Sequence, residues 1–361
     1  MLKTAPLSEI ELARVVEETI TICAIPAPTF RESARATAVA ELLTAAGLDP
    51  YLDAIGNVLV RVGGDGPALA LCAHLDTVFP QLEPIVATRD GIRLCAPGIG
   101  DNALGVAALL HIAREVAARP TQRPILLAAT VGEEGLGDLR GVTALLDAEP
   151  VSALVAIEGH GIDSLAVGGI ASVRLRADYR GPGGHSWTNR GTGSAIHALL
   201  AAGAAALNAG APAAVNIGVI EGGTSVNAIA EHASLLVDMR HADDRVVAAA
   251  HDRVARVLAS ALPAGISADV HLVGRRPGGA TRRDDPLLVA ARAARTAVGL
   301  GPADEQLAST DANAAYARGI PAVGIGITRG DHAHRVDEWI AVPPVALGVA
   351  TLSALLRRIA G

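Results

Sequence analysis

The chain has 361 residues, which exceeds the usual size of one domain and predicts two domains. Half of the residues (50%) are hydrophobic but only 2% are aromatic, so Ala, Val, Leu and Ile must fill the core. The net charge is −7, and no segment combines clustered basic residues with aromatic ones, which argues against a nucleic-acid partner.

The cysteines are few and irregularly spaced, at Cys23, Cys72 and Cys95, so we expect no disulfide framework. The N-terminal segment alternates acidic and apolar residues and lacks the apolar core of a signal peptide. No apolar run is long enough to cross a bilayer. We therefore expect a soluble cytoplasmic protein with no membrane partner.

The first half of the chain alternates helix-like and strand-like segments. Amphipathic spacing predicts helices at 7–24, 32–46 and 102–118, with Asn102 as the N-cap of the last. Apolar runs predict strands at 57–62, 68–73, 124–131 and 153–157. Continuous apolar strands suit a sheet covered on both faces, and the alternation predicts a layered α/β domain.

The pattern changes near residue 171. The predicted order is a strand (172–179), a helix (193–208), two strands (215–220 and 232–240), a helix (243–261) and a strand (268–273). This β-α-β-β-α-β order is typical of a ferredoxin-like module. After a linker at 274–285, the α/β pattern resumes with segments 286–298, 322–327 and 343–359. We predict one domain formed by 1–170 and 277–361, interrupted by an inserted domain at 171–276.

Acidic and imidazole side chains follow several of the predicted strands. His74 and Asp76 lie two residues apart and so share one face of a strand, where a carboxylate can fix an imidazole that binds a metal. Glu133 and Glu134 are adjacent acids, which repel unless a cation or a proton lies between them. Each motif also has an ordinary interpretation, a strand end that binds water or a solvated loop.

Asp101 follows a glycine-containing turn and precedes a predicted helix. An aspartate there is often only an N-cap, and a phosphate-binding loop is disfavoured because the Gly-Lys-Ser/Thr sequence is missing.

The placement of these residues is more informative than any single motif. His74, the Glu133–Glu134 pair, Glu158 and His334 all follow the carboxyl ends of apolar strands, which share one edge of a parallel sheet. Imidazole and carboxylate ligands without a thiolate cluster favour zinc or a similar divalent metal. The set is too large for one catalytic zinc, so two metals sharing a carboxylate are predicted.

Motifs in a fixed order extend this pattern over nearly the whole chain. They are Pro26-Ala-Pro-Thr-Phe30, Gly56-Asn-Val58, His74-Leu-Asp76, Gly100-Asp-Asn102, Glu133-Glu134, Gly184-His-Ser186, Thr224-Ser-Val-Asn227, Asp238-Met-Arg240, Ser309-Thr-Asp311, and Ala333-His334 before Asp337-Glu338. They resemble the zinc-dependent exopeptidase and deacylase family of carboxypeptidase G, acetylornithine deacetylase, succinyl-diaminopimelate desuccinylase, aminoacylase and peptidase T.

The resemblance implies a zinc-exopeptidase-like α/β/α catalytic domain, with the inserted ferredoxin-like domain acting as a lid and dimerisation domain of a homodimer. It also implies two divalent metal ions per chain, with Zn²⁺ as the first choice and Co²⁺ or Mn²⁺ as alternatives. The implied ligands of one ion are His74, Asp101 and Glu158. Those of the other are Asp101, Glu134 and His334, with Asp101 as the bridge.

The resemblance further implies that Asp76 orients His74 and that Glu133 is the general base. Two histidines compete for the last ligand position. The spacing to Glu338 resembles the family at His334, and His332 is the alternative.

The inserted domain carries further candidates. By resemblance, His185 helps to bind the oxyanion, often across a dimer interface, and Asn227 and Arg240 hold the substrate. Arg240 suits bidentate binding of a terminal carboxylate, although a structural salt bridge explains it nearly as well. His185 can equally be a bystander on a surface turn. The remaining histidines, including His160, have no converging partners in the sequence and are interpreted as structural or exposed.

These implications describe a metal-dependent hydrolase that cleaves an amide bond in a small peptide or an N-acyl amino acid. Within the family, Glu at the position of Glu158 goes with carboxypeptidase or deacylase action. However, Ser309-Thr-Asp-Ala-Asn313 and Asp337-Glu-Trp339 resemble the peptidase T branch, which keeps a di- or tripeptide aminopeptidase as the alternative. A non-catalytic metal- or peptide-binding descendant is the alternative of another class, and the presence of Glu133 and of every ligand argues against it.

Overall fold

The computed structural model describes residues 5–119 and 121–361, and the chain forms two compact units. Unit 1 combines the described residues up to Gly169 with Gly279–Gly361, and unit 2 is Ile170–Gly278. Residues 1–4, which belong to the segment used above to argue against a signal peptide, lie outside the described residues. Among the described helices, none has the length and apolar character needed to cross a membrane.

The elements follow in chain order. The helices are α1 (Glu9–Ala24), α2 (Ser33–Ala45), α3 (Gly105–Ala118), α4 (Arg140–Ala148), α5 (Ala195–Ala209), α6 (Asp244–Ala259), α7 (Pro286–Ala297), α8 (Ala312–Tyr316) and α9 (Val345–Ile359). The strands are β1 (Tyr51–Leu52), β2 (Val58–Val62), β3 (Ala68–His74), β4 (Thr88–Asp90), β5 (Arg93–Cys95), β6 (Ile125–Thr130), β7 (Val151–His160), β8 (Ser164–Gly169), β9 (Ala171–Arg180), β10 (Gly184–His185), β11 (Ala214–Gly222), β12 (Ala228–Ile229), β13 (His232–His241), β14 (Ser267–Arg276), β15 (Gly279–Ala280), β16 (Asp304–Ala308), β17 (Ala322–Thr328), β18 (Gly330–Asp331) and β19 (Trp339–Ala341).

The main sheet of unit 1 has the order β1-β2-β6-β3-β7-β17-β8-β15, and β16 also pairs with β8. Its centre is parallel, because β3 pairs in parallel with β6 and β7, and β17 pairs in parallel with β7. The carboxyl ends of β6, β3, β7 and β17 therefore lie at one edge of the sheet, as the sequence predicts.

Alternating side chains of the sheet enter two separate cores. In β3, Leu69 and Leu71 join the core formed with α1, α2, α3, α7 and α9, whereas Ala70 and Cys72 join the core formed with α4 and α8. Helices thus cover both faces, which explains why these strands read as continuous apolar runs. The predicted layered α/β fold is confirmed.

Unit 2 contains an antiparallel sheet of order β11-β13-β9-β14 packed against α5 and α6. The predicted β-α-β-β-α-β order is present as β9, α5, β11, β13, α6 and β14, and the two-residue strands β10 and β12 are added to it. The predicted linker at 274–285 is partly wrong, because β14 continues through Arg276 and Gly279–Ala280 pairs with β8 of the main sheet. Glycine and arginine in this segment favoured a loop, but backbone pairing extends the strand.

The prediction that Asn102 caps a helix is wrong. Helix α3 begins only at Gly105, after an irregular helical turn at Ile99–Leu104, and Leu104 occupies the N-cap position. The Asn102 side chain instead donates to the Ile157 carbonyl (2.8 Å) and accepts from the Gly159 amide (3.1 Å). It thereby fixes the turn that carries Asp101 to the strand that carries Glu158.

A buried arginine fixes the end of β3. Arg35 is fully buried, and its guanidinium donates to the Ile25 carbonyl (2.6 and 2.9 Å) and to the Leu75 carbonyl (2.7 Å). Leu75 lies between His74 and Asp76, so Arg35 holds the backbone from which both side chains project. Burial lowers the pKa of Arg35 to about 10.

We expect Arg35→Met to lower the free energy of unfolding by about 2–4 kcal/mol, because the buried Leu75 carbonyl and the half-buried Ile25 carbonyl lose their donor. Urea unfolding followed by circular dichroism measures this change. The exposed Arg31 provides the control, since Arg31→Met should change the stability by less than about 0.5 kcal/mol. Equal effects of the two substitutions would contradict a positioning role for Arg35.

Candidate metal centre

Five of the predicted ligands converge at the carboxyl edge of the main sheet. His74 ends β3, Glu134 follows β6, Glu158 lies near the end of β7, and His334 follows β17. Asp101 reaches the same place from the turn before α3. The ligand atoms fall into overlapping groups, and within each group every pair lies within 4.8 Å.

The first group consists of His74, Asp101 and Glu158. The His74 Nε2 atom lies 3.0 Å from Asp101 Oδ1 and 3.9 Å from Glu158 Oε2. The His74 side chain is only 3% exposed, so this group lies at the inner side of the centre.

The second group consists of Asp101, Glu134 and His334. The His334 Nε2 atom lies 3.1 Å from Asp101 Oδ2 and 3.1 Å from Glu134 Oε1. The two oxygens of Asp101 therefore face two different imidazoles. His332 belongs to neither group, and its Nδ1 atom instead lies 3.0 Å from the Asp337 carboxylate.

The acids of the centre resist ionising together. Burial and the nearby Asp101 carboxylate raise the pKa of Glu134 to about 7, and burial raises the pKa of Glu158 well above its usual value. Hydrogen bonds to Asp101 and Glu134 raise the pKa of His334 to about 10. Burial alone would lower the pKa of His74, but Asp101 and Asp76 outweigh it and raise the pKa well above the usual range.

Asp311 is a further buried acid close enough to Glu133 and His74 to interact with their charges. It is 2% exposed and accepts a hydrogen bond from the Thr130 hydroxyl (2.6 Å). Burial and the negative charge of Glu133 raise its pKa to about 7. In the sequence, Asp311 appears only within the motif Ser309-Thr-Asp311 and receives no role. A local pattern does not show which strand end its side chain approaches. Its charge adds to the negative potential that favours cations here.

The donors present fit divalent metal ions. Two imidazoles and three carboxylates, without a thiolate, are ligands that zinc accepts. Ligand atoms bound to one zinc at about 2.0–2.2 Å stand roughly 3.3 Å apart in a tetrahedral site. The three imidazole–carboxylate separations near 3.0–3.1 Å are close to that value. Mutually repelling carboxylates are also what a cation stabilises.

Asp76 lies beside His74 and also makes contacts that the resemblance does not imply. His74 Nδ1 lies 3.0 Å from the backbone carbonyl of Asp76 and 3.6 Å from its carboxylate. The fully buried carboxylate also accepts from the amides of Glu133 and Glu134 (both 2.9 Å) and from the Thr29 hydroxyl (2.9 Å). Asp76 thus holds the acidic loop in place as well as the imidazole, a contact between distant segments that spacing could not reveal.

The other candidates lie in unit 2. His185 is exposed, and its Nδ1 atom accepts from the Trp187 amide (3.1 Å). Asn227 is exposed and accepts from the Ser225 hydroxyl (2.8 Å). Arg240 donates to the Asp238 carboxylate (2.6 Å), so the salt bridge weighed above is present.

Comparison with known proteins places this geometry in context. A Pyrococcus abyssi protein that carries the name LysW-lysine/LysW-ornithine hydrolase is 31% identical over 152 residues, which is 42% of this chain and 42% of that protein. The chain thus spans less than half the length of the curated relative that it matches.

The fold is shared with solved structures, of which two are described here. The aminopeptidase PepT of Bacillus cereus is 21% identical, with a TM-score of 0.71 over 96% of this chain and 98% of that chain. The YXEP protein of Bacillus subtilis, described as a dinuclear metal binding peptidase from the M20 family, is 19% identical, with a TM-score of 0.65 over 96% and 98% of the two chains.

The family assignment rests on the sequence itself. The sequence profile of peptidase family M20/M25/M40 matches residues 70–358, which include every residue assigned above to the candidate metal centre. The exopeptidase and deacylase resemblance is thereby confirmed. The chain belongs to peptidase family M20/M25/M40.

Proposed function

We propose that this protein is a two-metal hydrolase that cleaves an amide bond in a small peptide or an N-acyl amino acid. The observation that carries the proposal is the Asp101 carboxylate, whose two oxygens face His74 and His334 at 3.0 and 3.1 Å. Membership of the peptidase family and the dinuclear metal binding described for the YXEP protein support it.

The proposed ligands are His74, Asp101 and Glu158 for one ion, and Asp101, Glu134 and His334 for the other. Zn²⁺ is the proposed metal, because the donors are imidazoles and carboxylates, and Co²⁺ or Mn²⁺ are the alternatives. When bound, such ions lower the pKa of a water and polarise the scissile carbonyl.

Glu133 is the proposed general base. It is 5% exposed, and its carboxylate belongs to a third group, in which its ligand atom lies within 4.8 Å of those of His74 and Glu134. Its backbone amide donates a hydrogen bond to the Asp76 carboxylate, which fixes the backbone from which the side chain projects. Glu133 takes a proton from the attacking water as the C–O bond forms, and returns it to the leaving amine as the C–N bond breaks.

The polarity of cleavage follows from which end of the substrate is recognised. We propose carboxypeptidase or deacylase action, in which Asn227 and Arg240 hold the substrate and the Arg240 guanidinium meets its free carboxylate. Peptidase T-like aminopeptidase action is the alternative. N-acyl amino acids lack a free α-amine, so their hydrolysis separates the two polarities.

We also propose a homodimer formed through unit 2, which acts as a lid and dimerisation domain. Helix α5 exposes Leu200 (55%) and Leu207 (48%), and strand β11 at the edge of its sheet exposes Ile220 (54%). An open strand edge beside exposed apolar side chains is suited to pairing with a second copy.

We also propose a cytoplasmic location. Cys23, Cys72 and Cys95 are free thiols, which supports this location.

The metal content tests the proposal directly. We expect the purified chain to bind about two zinc ions, because two ligand groups share Asp101. Mass spectrometry of the dialysed protein and calorimetric titration with zinc measure the stoichiometry. A protein that binds no zinc, cobalt or manganese would remove the two-metal hydrolase from consideration.

The adjacent acids should respond differently to substitution. We expect Glu133→Gln to keep both ions and to lower kcat by about 10²–10⁴-fold, because only the proton acceptor is lost. Turnover is measured with N-acyl amino acids, dipeptides and tripeptides in the presence of zinc, cobalt or manganese. Glu134→Gln is the matched control, and it should release one ion. Undiminished kcat in Glu133→Gln would exclude Glu133 as the base.

If His185 stabilises the oxyanion of a partner subunit, two inactive variants should complement each other. In randomly mixed His185→Ala and Glu133→Gln chains, roughly a quarter of the sites would combine an intact Glu133 with an intact His185 from the other subunit. We therefore expect about a quarter of the wild-type activity. Differently tagged chains allow heterodimers to be isolated, and inactive heterodimers would refute this arrangement.

A further inference from the structure

Like Asp76, Glu338 has a buried carboxylate that accepts hydrogen bonds from backbone amides, in this case those of the turn that carries Asp101. Glu338 is fully buried, and its Oε1 accepts from the amides of Gly100 and Asp101 (both 2.9 Å). Its Oε2 accepts from the Gly98 amide (2.6 Å). His160 Nε2 lies 2.8 Å from Oε1 and completes the set. Glu338 is thus surrounded by donors on the backbone that presents Asp101.

The glycines of this turn are explained by the same carboxylate. Gly98 has a left-handed φ of 74°, which lets the backbone curl so that successive amides point inward. A Cβ atom on Gly100 would collide with the His160 ring and approach Glu338 Oε1 to 2.9 Å. The turn therefore wraps closely around Glu338, and His160 contacts this carboxylate although the sequence shows no converging partner for it.

The same residue ends the segment that carries His334. The Arg335 amide donates to the His332 carbonyl (3.0 Å), and the Glu338 amide donates to the Arg335 carbonyl (3.2 Å). The Glu338 carbonyl in turn accepts from the Ala96 amide (3.1 Å). Backbone and side chain of Glu338 thus join the His334 segment to the Asp101 turn.

We propose that Glu338 is a positioning residue that sets the affinity of both metal ions. The inference rests on the proposed function, because it concerns the same ligands. Asp101 belongs to both ligand groups, so any freedom in its turn weakens both, and Glu338 also limits the movement of His334. A buried partner that orients a ligand is worth about 10–100-fold in metal affinity.

Zinc binding measures this role without reference to turnover. In Glu338→Gln one acceptor oxygen becomes an NH₂ group that faces backbone N–H donors, so the turn loses its fit at unchanged side-chain size. We expect the dissociation constants of both zinc ions, measured by competition with a chromophoric chelator, to rise about 10–100-fold. Glu338→Asp keeps the negative charge but has a side chain one methylene shorter, so both zinc dissociation constants should rise less than in Glu338→Gln.

Asp53→Asn is the matched control. Asp53 also accepts from three backbone amides, those of Ile55, Gly56 and Asn57, and from one side chain, the Asn57 amide, but it contacts no proposed ligand. Its loss should lower the melting temperature without changing zinc affinity. Glu158→Gln provides the contrast, because it removes a ligand of one group and should weaken one ion only.

The outcomes separate the two proposals. A wild-type chain that binds no zinc overturns both the proposed function and this inference. A wild-type chain with two ions and a folded Glu338→Gln with unchanged zinc affinity overturns the inference alone, as does weakening of a single ion. If Glu338→Gln does not fold, Glu338→Asp decides in the same assay, since unchanged affinity in that variant also overturns the inference.

Discussion

The candidate metal centre depends on one constraint, which is that several carboxylates must remain close together at a single sheet edge. Asp101 offers one oxygen to each of two imidazoles, and Glu134 and Glu158 stand beside it. Burial, together with the Asp101 charge, raises the pKa of Glu134 and of Glu158, so ionising all of these acids without a cation is unfavourable. Because the carboxylates repel one another, contacts with the surrounding structure must hold them rigidly close together.

That rigidity comes from buried polar side chains bonded to backbone groups. Asp76 accepts the amides of both adjacent acids, Asn102 joins its turn to β7, and Arg35 holds the carbonyl beside His74. Each of these side chains satisfies buried groups that water cannot reach, so its loss is costly. The cores on both faces of the sheet fix the strands, and these polar contacts fix the loops at their ends.

The sequence predicts the parts of this arrangement that follow from periodicity. Apolar runs define β3, β6, β7 and β17, and the parallel-sheet rule brings their ends together. The sequence does not predict β8 or β16, since β8 ends in two glycines and β16 is largely polar. Nor does spacing reveal contacts between distant segments.

The contacts of Asn102 show how a local rule can fail for a physical reason. Its position before an apolar helical run favours an N-cap. However, its side chain instead forms hydrogen bonds with two buried backbone groups of β7, the Ile157 carbonyl and the Gly159 amide. The competing interaction is tertiary, and it stabilises the turn on which Asp101 depends.

The inserted unit is connected to the main sheet at two neighbouring strands, β8 and β15. The chain leaves unit 1 after Gly169 and returns at Gly279, and these two residues pair with each other across β8 and β15. An insertion whose ends meet at adjacent strands leaves the rest of the sheet unbroken. In the sheet order, β17 separates β6, β3 and β7 from β8 and β15, the two strands at which the chain leaves and re-enters unit 1. The insertion therefore does not interrupt the order of β6, β3 and β7, the strands that lead to Glu134, His74 and Glu158.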